Sequence, residues 1–489
     1  MDTGACDIWR FFNHEGDYAD IDTDAACARL GKVLSFATVS HMDNDAVDWR
    51  PFDDLRAYMA DAWPHVFAAG DVEVIDHSLL VTLPGSDASL KPVMLMGHMD
   101  VVPVVPGTEG DWTHGAFSGA VDDTFVWGRG AIDMKCQVAG ELEAVEYVLA
   151  HGWELKRTLI LAFGQDEETN QFGARAVAAE LRRRGVELEF LLDEGDYRIV
   201  NSAEYGVPGA WLMHADLAEK GYADIVLSVK SEGGHSSNPY GGTSLEKLAR
   251  AITAICNIEW APLLTALTAA TLTELGLVSA EDVADPAKRA EIIECCLADK
   301  RLYPLVQTTC APTQIEGGSA GANVMPQDMW ANINFRMMPG VSVDNVLLAS
   351  RAAVRAAGLD DVEVALGPGS SEPSPDPAVG GPGLDALRAV AARYFVEPAP
   401  VAGTVSGEDD FDRQSAGRRA VHIVPSMVIG ATDAANYACI CPECLRFSAF
   451  VVADEECDRG VHGTDERITR RAYLQGIRFS IRLIQETCL

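Results

Sequence analysis

Basic residues are scarce in this chain of 489 amino acids: 38 Lys and Arg stand against 73 Asp and Glu, a net charge of −35 with His neutral. No acidic tail carries the excess, so it is spread over folded surface. Binding to phosphate backbones depends on neutralisation by Lys and Arg, so the deficit argues against nucleic acid and anionic membranes as partners. Apolar runs approaching the roughly 18 residues of a membrane span are also missing. The first residues contain Asp2, Asp7 and Arg10 and lack the basic start and apolar stretch of a secretory leader, which sets the expectation of a cytoplasmic protein. Twelve cysteines in so long a chain do not make the disulfide framework of a short secreted domain, and most are expected to be buried thiols. Cys439, Cys441 and Cys444 would hold a soft metal only with a fourth donor such as Cys457, and the paired Cys-x-x-Cys arrangement of common sites is lacking. Internal repeats are absent as well.

What remains is an ordinary globular composition, 48% hydrophobic and 23% charged, long enough for about three domains or two larger ones. Short apolar runs at Val93 to Met96, Leu159 to Phe163 and Phe190 to Leu192 each end in Gly, His, Asp or Glu, and read as strands buried on both faces. Between them, Met134 to Leu149 and Gly173 to Gly185 carry helical spacing. This alternation predicts an α/β fold with a mostly parallel sheet flanked by helices. Ligands of such sheets sit beyond the carboxyl ends of the strands, here marked by His98, Asp100, Asp166, Glu167, Glu168, Asp193 and Glu194.

From about residue 220 the pattern changes to β-α-β-β-α-β. Strands are predicted at 224–230, 313–316, 331–337 and 362–366, with helices at 244–258 and 343–357, a ferredoxin-like order. Residues about 260–310 form a largely helical insertion within it. The expected organisation is a catalytic domain built from 1–215 and 371–489, interrupted by an inserted domain at 216–370.

The strand ends concentrate chemistry. His98 and Asp100 lie two apart, where a carboxylate can hold the imidazole in one tautomer. Asp133 sits in the glycine-rich Gly128-Arg129-Gly130-Ala131-Ile132-Asp133, and Asp166-Glu167-Glu168 places three mutually repelling acids after a strand, where a cation would offset the repulsion. Asp193 and Glu194 supply another acidic pair, and Val461-His462-Gly463 a late His. Taken singly, a lone His is usually a satisfied side chain and an acidic run a solvated face. The set in this order is far more specific.

With His98-Met99-Asp100-Val101-Val102-Pro103, Leu192-Asp193-Glu194-Gly195, Glu219-Lys220-Gly221-Tyr222 and Gly233-Gly234-His235-Ser236-Ser237, these segments resemble the dizinc aminoacylase and carboxypeptidase S group of metallopeptidases, whose relatives include carnosinase-type dipeptidases and fatty-acyl amino acid hydrolases. The resemblance runs from roughly residue 25 to 485 and is strongest to the carboxypeptidase S branch. It implies that Asp133 bridges two metal ions, that His98 and Glu194 complete one and Glu168 and His462 the other, that Asp100 orients His98, and that Glu167 is the general base. Neighbours on a strand point to opposite sides, so Asp193 stands as the alternative to Glu194. His235 is implied as a donor to the oxyanion, reaching in from a lid or a partner subunit. Asn323 and Arg336 are implied as holders of the substrate carboxylate, and Gly430 and Thr432 as contacts to substrate backbone.

Imidazole and carboxylate donors without thiolate suit two Zn ions and tolerate Mn or Co. Three carboxylates against two divalent ions leave about one positive charge to polarise a carbonyl and acidify a bridging water to a pKa near ~7. The expected reaction is attack of that hydroxide on an amide bond next to a free amino acid carboxylate, as in a carboxypeptidase or dipeptidase, with an aminoacylase acting on N-acyl amino acids as the alternative. A non-catalytic amino acid or peptide receptor would have lost a ligand or the base, and none is lost here. Relatives also imply possible dimerisation through the inserted domain. Ala434-Ala435-Asn436-Tyr437 and Ser448-Ala449-Phe450 depart from the group's usual Ser-Arg-His-Tyr and Ser-Pro-Phe, and are expected near the substrate side.

Overall fold

The computed structural model describes residues 8–207, 209–396, 420–453, 456 and 460–489. Its contacts separate two units: Met1–Leu217 with Ala378–Ser426 and Thr432–Leu489, and Ala218–Pro377 with Met427–Ala431.

The first unit is built on a mixed sheet whose centre is parallel. Strand Val93–His98 lies between Leu159–Gly164 and Phe190–Asp193, parallel to both, and Cys444–Arg446 extends the parallel set beyond Phe190–Asp193. Ser78–Leu83 and Asp71–Ile75 add antiparallel strands at one edge. All six residues of Val93–His98 and of Leu159–Gly164 are buried, as strands covered on both faces must be. On one face Met94, Met96, Ile160 and Ala162 meet Val177 and Leu181 of helix Phe172–Arg183, together with Tyr437 and Ile440.

Helix Lys135–Ala150 is buried on nearly all sides, because strand and helix approach it closely. At Gly97 a Cβ would sit 2.9 Å from Val138 Cγ2, so only glycine lets the helix lie against this strand. Phe450 fills a comparable notch: a Cβ at Gly140, or at Gly476 of helix Arg470–Cys488, would fall 2.3 Å from its ring. Among the described residues no helix is long and apolar enough to cross a membrane.

The second unit follows the order Gly221–Lys230, helix Ser244–Cys256, Thr309–Gly317, Asp328–Met337, helix Val343–Ala356 and Val362–Leu366. Its four-stranded antiparallel sheet runs Thr309–Gly317, Asp328–Met337, Gly221–Lys230, Val362–Leu366, the ferredoxin-like arrangement. Alternation decides its faces. Ala223, Ile225, Leu227 and Val229, with Met329, Ala331, Ile333, Phe335 and Met337, form the core against Leu248, Ala251 and Ile255. The opposite face therefore receives Tyr222, Asp224, Asn332, Asn334 and Arg336, and the register sets Arg336 across from Tyr222 and Asn334 across from Asp224. Both helices start on side-chain caps: Thr243 accepts from Glu246 N, and Ser342 shares a capping box with Asn345. The helical insertion supplies Ala266–Glu274, Ala280–Ala284 and Pro286–Ala298.

Candidate metal centre

Parallel strands deliver their last residues to one edge, and chemistry gathers there. His98 ends its strand, Glu167 and Glu168 follow Leu159–Gly164, and Glu194 follows Phe190–Asp193. Asp133 stands just before helix Lys135–Ala150, and its peptide bond to Met134 is cis. His462 comes from a late loop in the left-handed region, at φ 57°.

Asp133 divides its carboxylate between two imidazoles: Oδ1 lies 3.1 Å from His98 Nε2, and Oδ2 lies 3.2 Å from His462 Nε2. Beside His462, Glu168 Oε2 is 3.0 Å away; beside His98, Glu194 Oε1 is 3.7 Å away. Donor atoms of His98, Asp133 and Glu168 lie within 4.8 Å of one another, as do those of His98, Glu167 and Glu194. Asp193 turns the other way and accepts from Ala434 N at 2.9 Å, so Glu194 is the member of the pair that faces His98.

Asp100 knits this edge together. Its Oδ1 lies 3.3 Å from His98 Nδ1 and accepts from Glu167 N at 3.1 Å, while Oδ2 accepts from Ser40 Oγ at 2.6 Å and from Glu168 N at 3.2 Å. One carboxylate thus sets both the imidazole and the acidic turn. Glu466 does the same for Asp133. Buried completely, it accepts from Arg129 Nη1, Gly130 N and Ile132 N, each at 2.8 Å, and from Asp133 N at 3.1 Å. Tyr197 donates its hydroxyl to Glu194 Oε2 at 3.2 Å. Glu466 lies four residues after His462 in the sequence, and nothing in the sequence singled out Ser40 or Tyr197.

The electrostatics of the cluster is of a kind that a bound cation would relieve. Burial, then the charge of Glu194, pushes the Glu167 carboxyl well above its usual range, and burial with Asp133 does the same to Glu194. Burial opposes protonation of His98, yet Glu194, Asp100 and Asp133 outweigh it and raise the imidazole. Among the described residues the buried Glu168 Oε1 has no hydrogen-bond partner, and a bound cation would satisfy it. Oxygen and imidazole donors of this kind suit a hard to borderline divalent ion.

Hydrogen bonds to Asp133 and Glu168 raise His462 to about 10. At neutral pH a cation must therefore displace its proton, so apparent metal affinity should rise with pH up to that value, by about tenfold per unit for one proton released. Zinc titrations between pH 6 and 9, with proton release followed in weak buffer, check this; a flat affinity profile would remove His462 from the donor set.

The second unit holds the other expected residues. His235 is exposed, with Nδ1 2.8 Å from Ser237 Oγ, and the carbonyl of Asn323 accepts from Ser236 N at 2.9 Å. Arg336 lies with its guanidinium carbon 4.6 Å from the centre of the Tyr222 ring and donates Nε to Asn334 Oδ1 at 3.2 Å. Asp224 accepts from Tyr222, Asn332 and Asn334. Among the described residues no carboxylate forms an ion pair with Arg336, so a half-buried cation keeps its terminal fork available to an anion. Gly430 belongs to this unit, whereas Thr432 belongs to the first, where its Oγ1 accepts from Arg446 Nε at 3.3 Å.

In the segment that departs from the group's pattern, Ala434 and Tyr437 lie in the hydrophobic core, while Asn436 donates Nδ2 to Gln171 Oε1 at 3.1 Å and Gln171 donates Nε2 to Glu167 Oε1 at 3.2 Å; Phe450 lies between two helices. In the cysteine cluster, Cys439, Cys441 and Cys444 donate to the separate carbonyls of Asn436, Glu443 and Cys441. Among the described residues the cluster forms no three-ligand group; Cys457 lies outside them.

Comparison with known proteins identifies related chains. A family profile described as peptidase family M20/M25/M40 matches residues 94–486. A probable carboxypeptidase S-like 2 of Dictyostelium discoideum is 29% identical over 490 residues, 97% of this chain and 87% of the relative. The N-fatty-acyl-amino acid synthase/hydrolase PM20D1 of Mus musculus is 30% identical over 483 residues, 93% of this chain and 86% of the relative. Among solved structures, the M20 family metallo-carboxypeptidase Sso-CP2 from Sulfolobus solfataricus superposes with a TM-score of 0.64 at 16% identity, covering 93% of this chain and 97% of that one.

Proposed function

The chain belongs to peptidase family M20/M25/M40, a metal-dependent hydrolase similar to carboxypeptidase S, and we propose that it releases an amino acid bearing a free carboxylate from a small peptide. One observation carries the reading: Asp133 offers each of its oxygens to a different imidazole, as a carboxylate shared between two cations would. His98 and Glu194 would hold one ion, Glu168 and His462 the other, with zinc the best match and Mn or Co acceptable. When bound, such ions polarise a carbonyl oxygen and make water available as a nucleophile at neutral pH.

The chain's own groups do the rest. Glu167, raised by burial and by Glu194, accepts the proton of the attacking water and hands it to the departing amine. Asp100 keeps His98 in one tautomer. Arg336 is assigned the substrate carboxylate through its terminal fork, with Asn323 beside the same loop as His235, and His235 is assigned as a donor to the developing oxyanion. Gly430 and Thr432 contact the substrate backbone.

Purified protein supplied with Zn, Mn or Co should liberate free amine from dipeptides, lose activity on chelation and regain it with metal. The similarity to a fatty-acyl amino acid hydrolase favours one second reading, N-acyl amino acids as substrates, and the same assay with acetyl and long-chain acyl conjugates separates the two. Cleavage of neither class would overturn both.

Two further outcomes are expected. Glu168→Ala and His462→Ala should each lower bound metal by elemental analysis, with activity falling by more than ~100-fold; unchanged stoichiometry refutes their assignment. Arg336→Ala should lower kcat/KM on free-carboxylate dipeptides by roughly 10²-fold, about the 1.5–3 kcal/mol of a charge-assisted hydrogen bond, and leave C-terminal amides almost unaffected.

A further inference from the structure

A second chemical feature lies within the second unit. Cys256 is the last residue of helix Ser244–Cys256, and Cys310 is the second residue of strand Thr309–Gly317. They stand 54 positions apart in the chain, yet their sulfurs are 3.9 Å apart. Between them lies the whole helical insertion, so the two thiols face each other across its neck, where the chain leaves the four-stranded sheet and returns to it.

The neck is held in place. Leu263 N donates to Val306 O at 2.8 Å, and Gln307 Nε2 donates to Trp260 O at 3.0 Å, tying the outgoing leg to the incoming one. The buried Lys220 ammonium donates to the carbonyls of Pro304 and Gln307, anchoring the incoming leg to the sheet. Both sulfurs are thereby kept close without being bonded. The sulfurs, 3.9 Å apart, have to close to the ~2.05 Å of a disulfide.

We propose that Cys256 and Cys310 form a reversible dithiol–disulfide pair that staples the neck of the helical insertion, oxidised by small disulfides of the glutathione type. Cys256 is exposed and Cys310 only partly so, which orders the steps. The Cys256 thiolate attacks one sulfur of the small disulfide; its S–S bond breaks, and one small thiol leaves after taking a proton. Cys310, having given up its own proton, then attacks the Cys256 sulfur of the mixed disulfide and expels the second small thiol. Two protein thiols are oxidised to one disulfide, and one small disulfide is reduced to two thiols. Burial pushes the Cys310 thiol up, and the exposed Cys256 meets the small disulfide first, so the mixed disulfide forms on Cys256 before the cross-link. Closing a loop of this length restricts the opened state of the insertion and stabilises it against local unfolding.

The test uses the full chain, with and without oxidised glutathione, followed by alkylation, digestion and mass spectrometry. The expected product is a reduction-sensitive peptide joining Cys256 to Cys310, preceded by a glutathionylated Cys256. Cleavage by a dilute protease within residues 260–308 should slow by about tenfold on oxidation. Cys256→Ser, at an exposed position, should remove both the cross-link and the protection, while Cys310→Ser should trap the mixed disulfide on Cys256. Quantitative alkylation of both cysteines after oxidation, or an unchanged cross-linking and protease pattern in Cys256→Ser, would overturn the proposal.

Discussion

Glu167→Gln is expected to lower kcat by ~10²–10⁴-fold while leaving metal content and KM close to those of the parent protein. The argument is geometric first. Glu167 shares a group with His98 and Glu194, near enough to serve the same ion-binding pocket, while Asp133 and Glu168 occupy the immediate surroundings of His462. Its backbone N–H is tied to Asp100, so the amide substitution keeps the turn and changes only the ability to take a proton. Electrostatics agrees: a carboxyl raised by burial and by Glu194 holds a transferred proton long enough to pass it on. Kinetics on a dipeptide alongside elemental analysis separates this role from ligation. Loss of metal in the variant would make Glu167 a ligand, and retained turnover would remove it from the chemistry.

Glu466→Ala is the second large effect. Removing this carboxylate leaves the Arg129 guanidinium buried without its partner and deprives the amides of Gly130, Ile132 and Asp133 of their acceptor. Breaking a buried pair by deleting one member costs about 3–5 kcal/mol. The loop that presents Asp133 would loosen at the same time, so weaker zinc binding is expected together with the lower midpoint in urea. Glu466→Gln keeps part of the hydrogen bonding and should fall between. Equal stability of the Ala variant and the parent would show that the loop is held by other contacts.

Local pattern carries far in this chain because the elements that matter have a clear period. Unbroken apolar runs at 93–98 and 159–164 are strands buried on both faces, and strict alternation along 328–337 assigns Phe335 to the core and Arg336 to the other face. The acidic strand ends are legible for the same reason: carboxylates crowd there against their own repulsion. Other features leave no local trace. Ser40 and Tyr197 look like any Ser and Tyr, and nothing in the sequence shows that Ala434 packs into the core or Phe450 between two helices. Cys256 and Cys310 are separated by three helices of chain, so their approach is invisible in primary order.

Composition and periodicity by themselves determined the class of fold, the interrupted order of the second unit and the residue types available for metal chemistry, since these follow from the spacing of apolar and acidic groups along the chain. The tertiary structure alone decided which of Asp193 and Glu194 turns to His98, that Glu466 holds the Asp133 loop, and that Arg336 lies beside Tyr222 with no carboxylate paired to it among the described residues. Those outcomes depend on side-chain direction and on partners hundreds of residues away, brought together only when burying the sheet and helices sets where each strand ends.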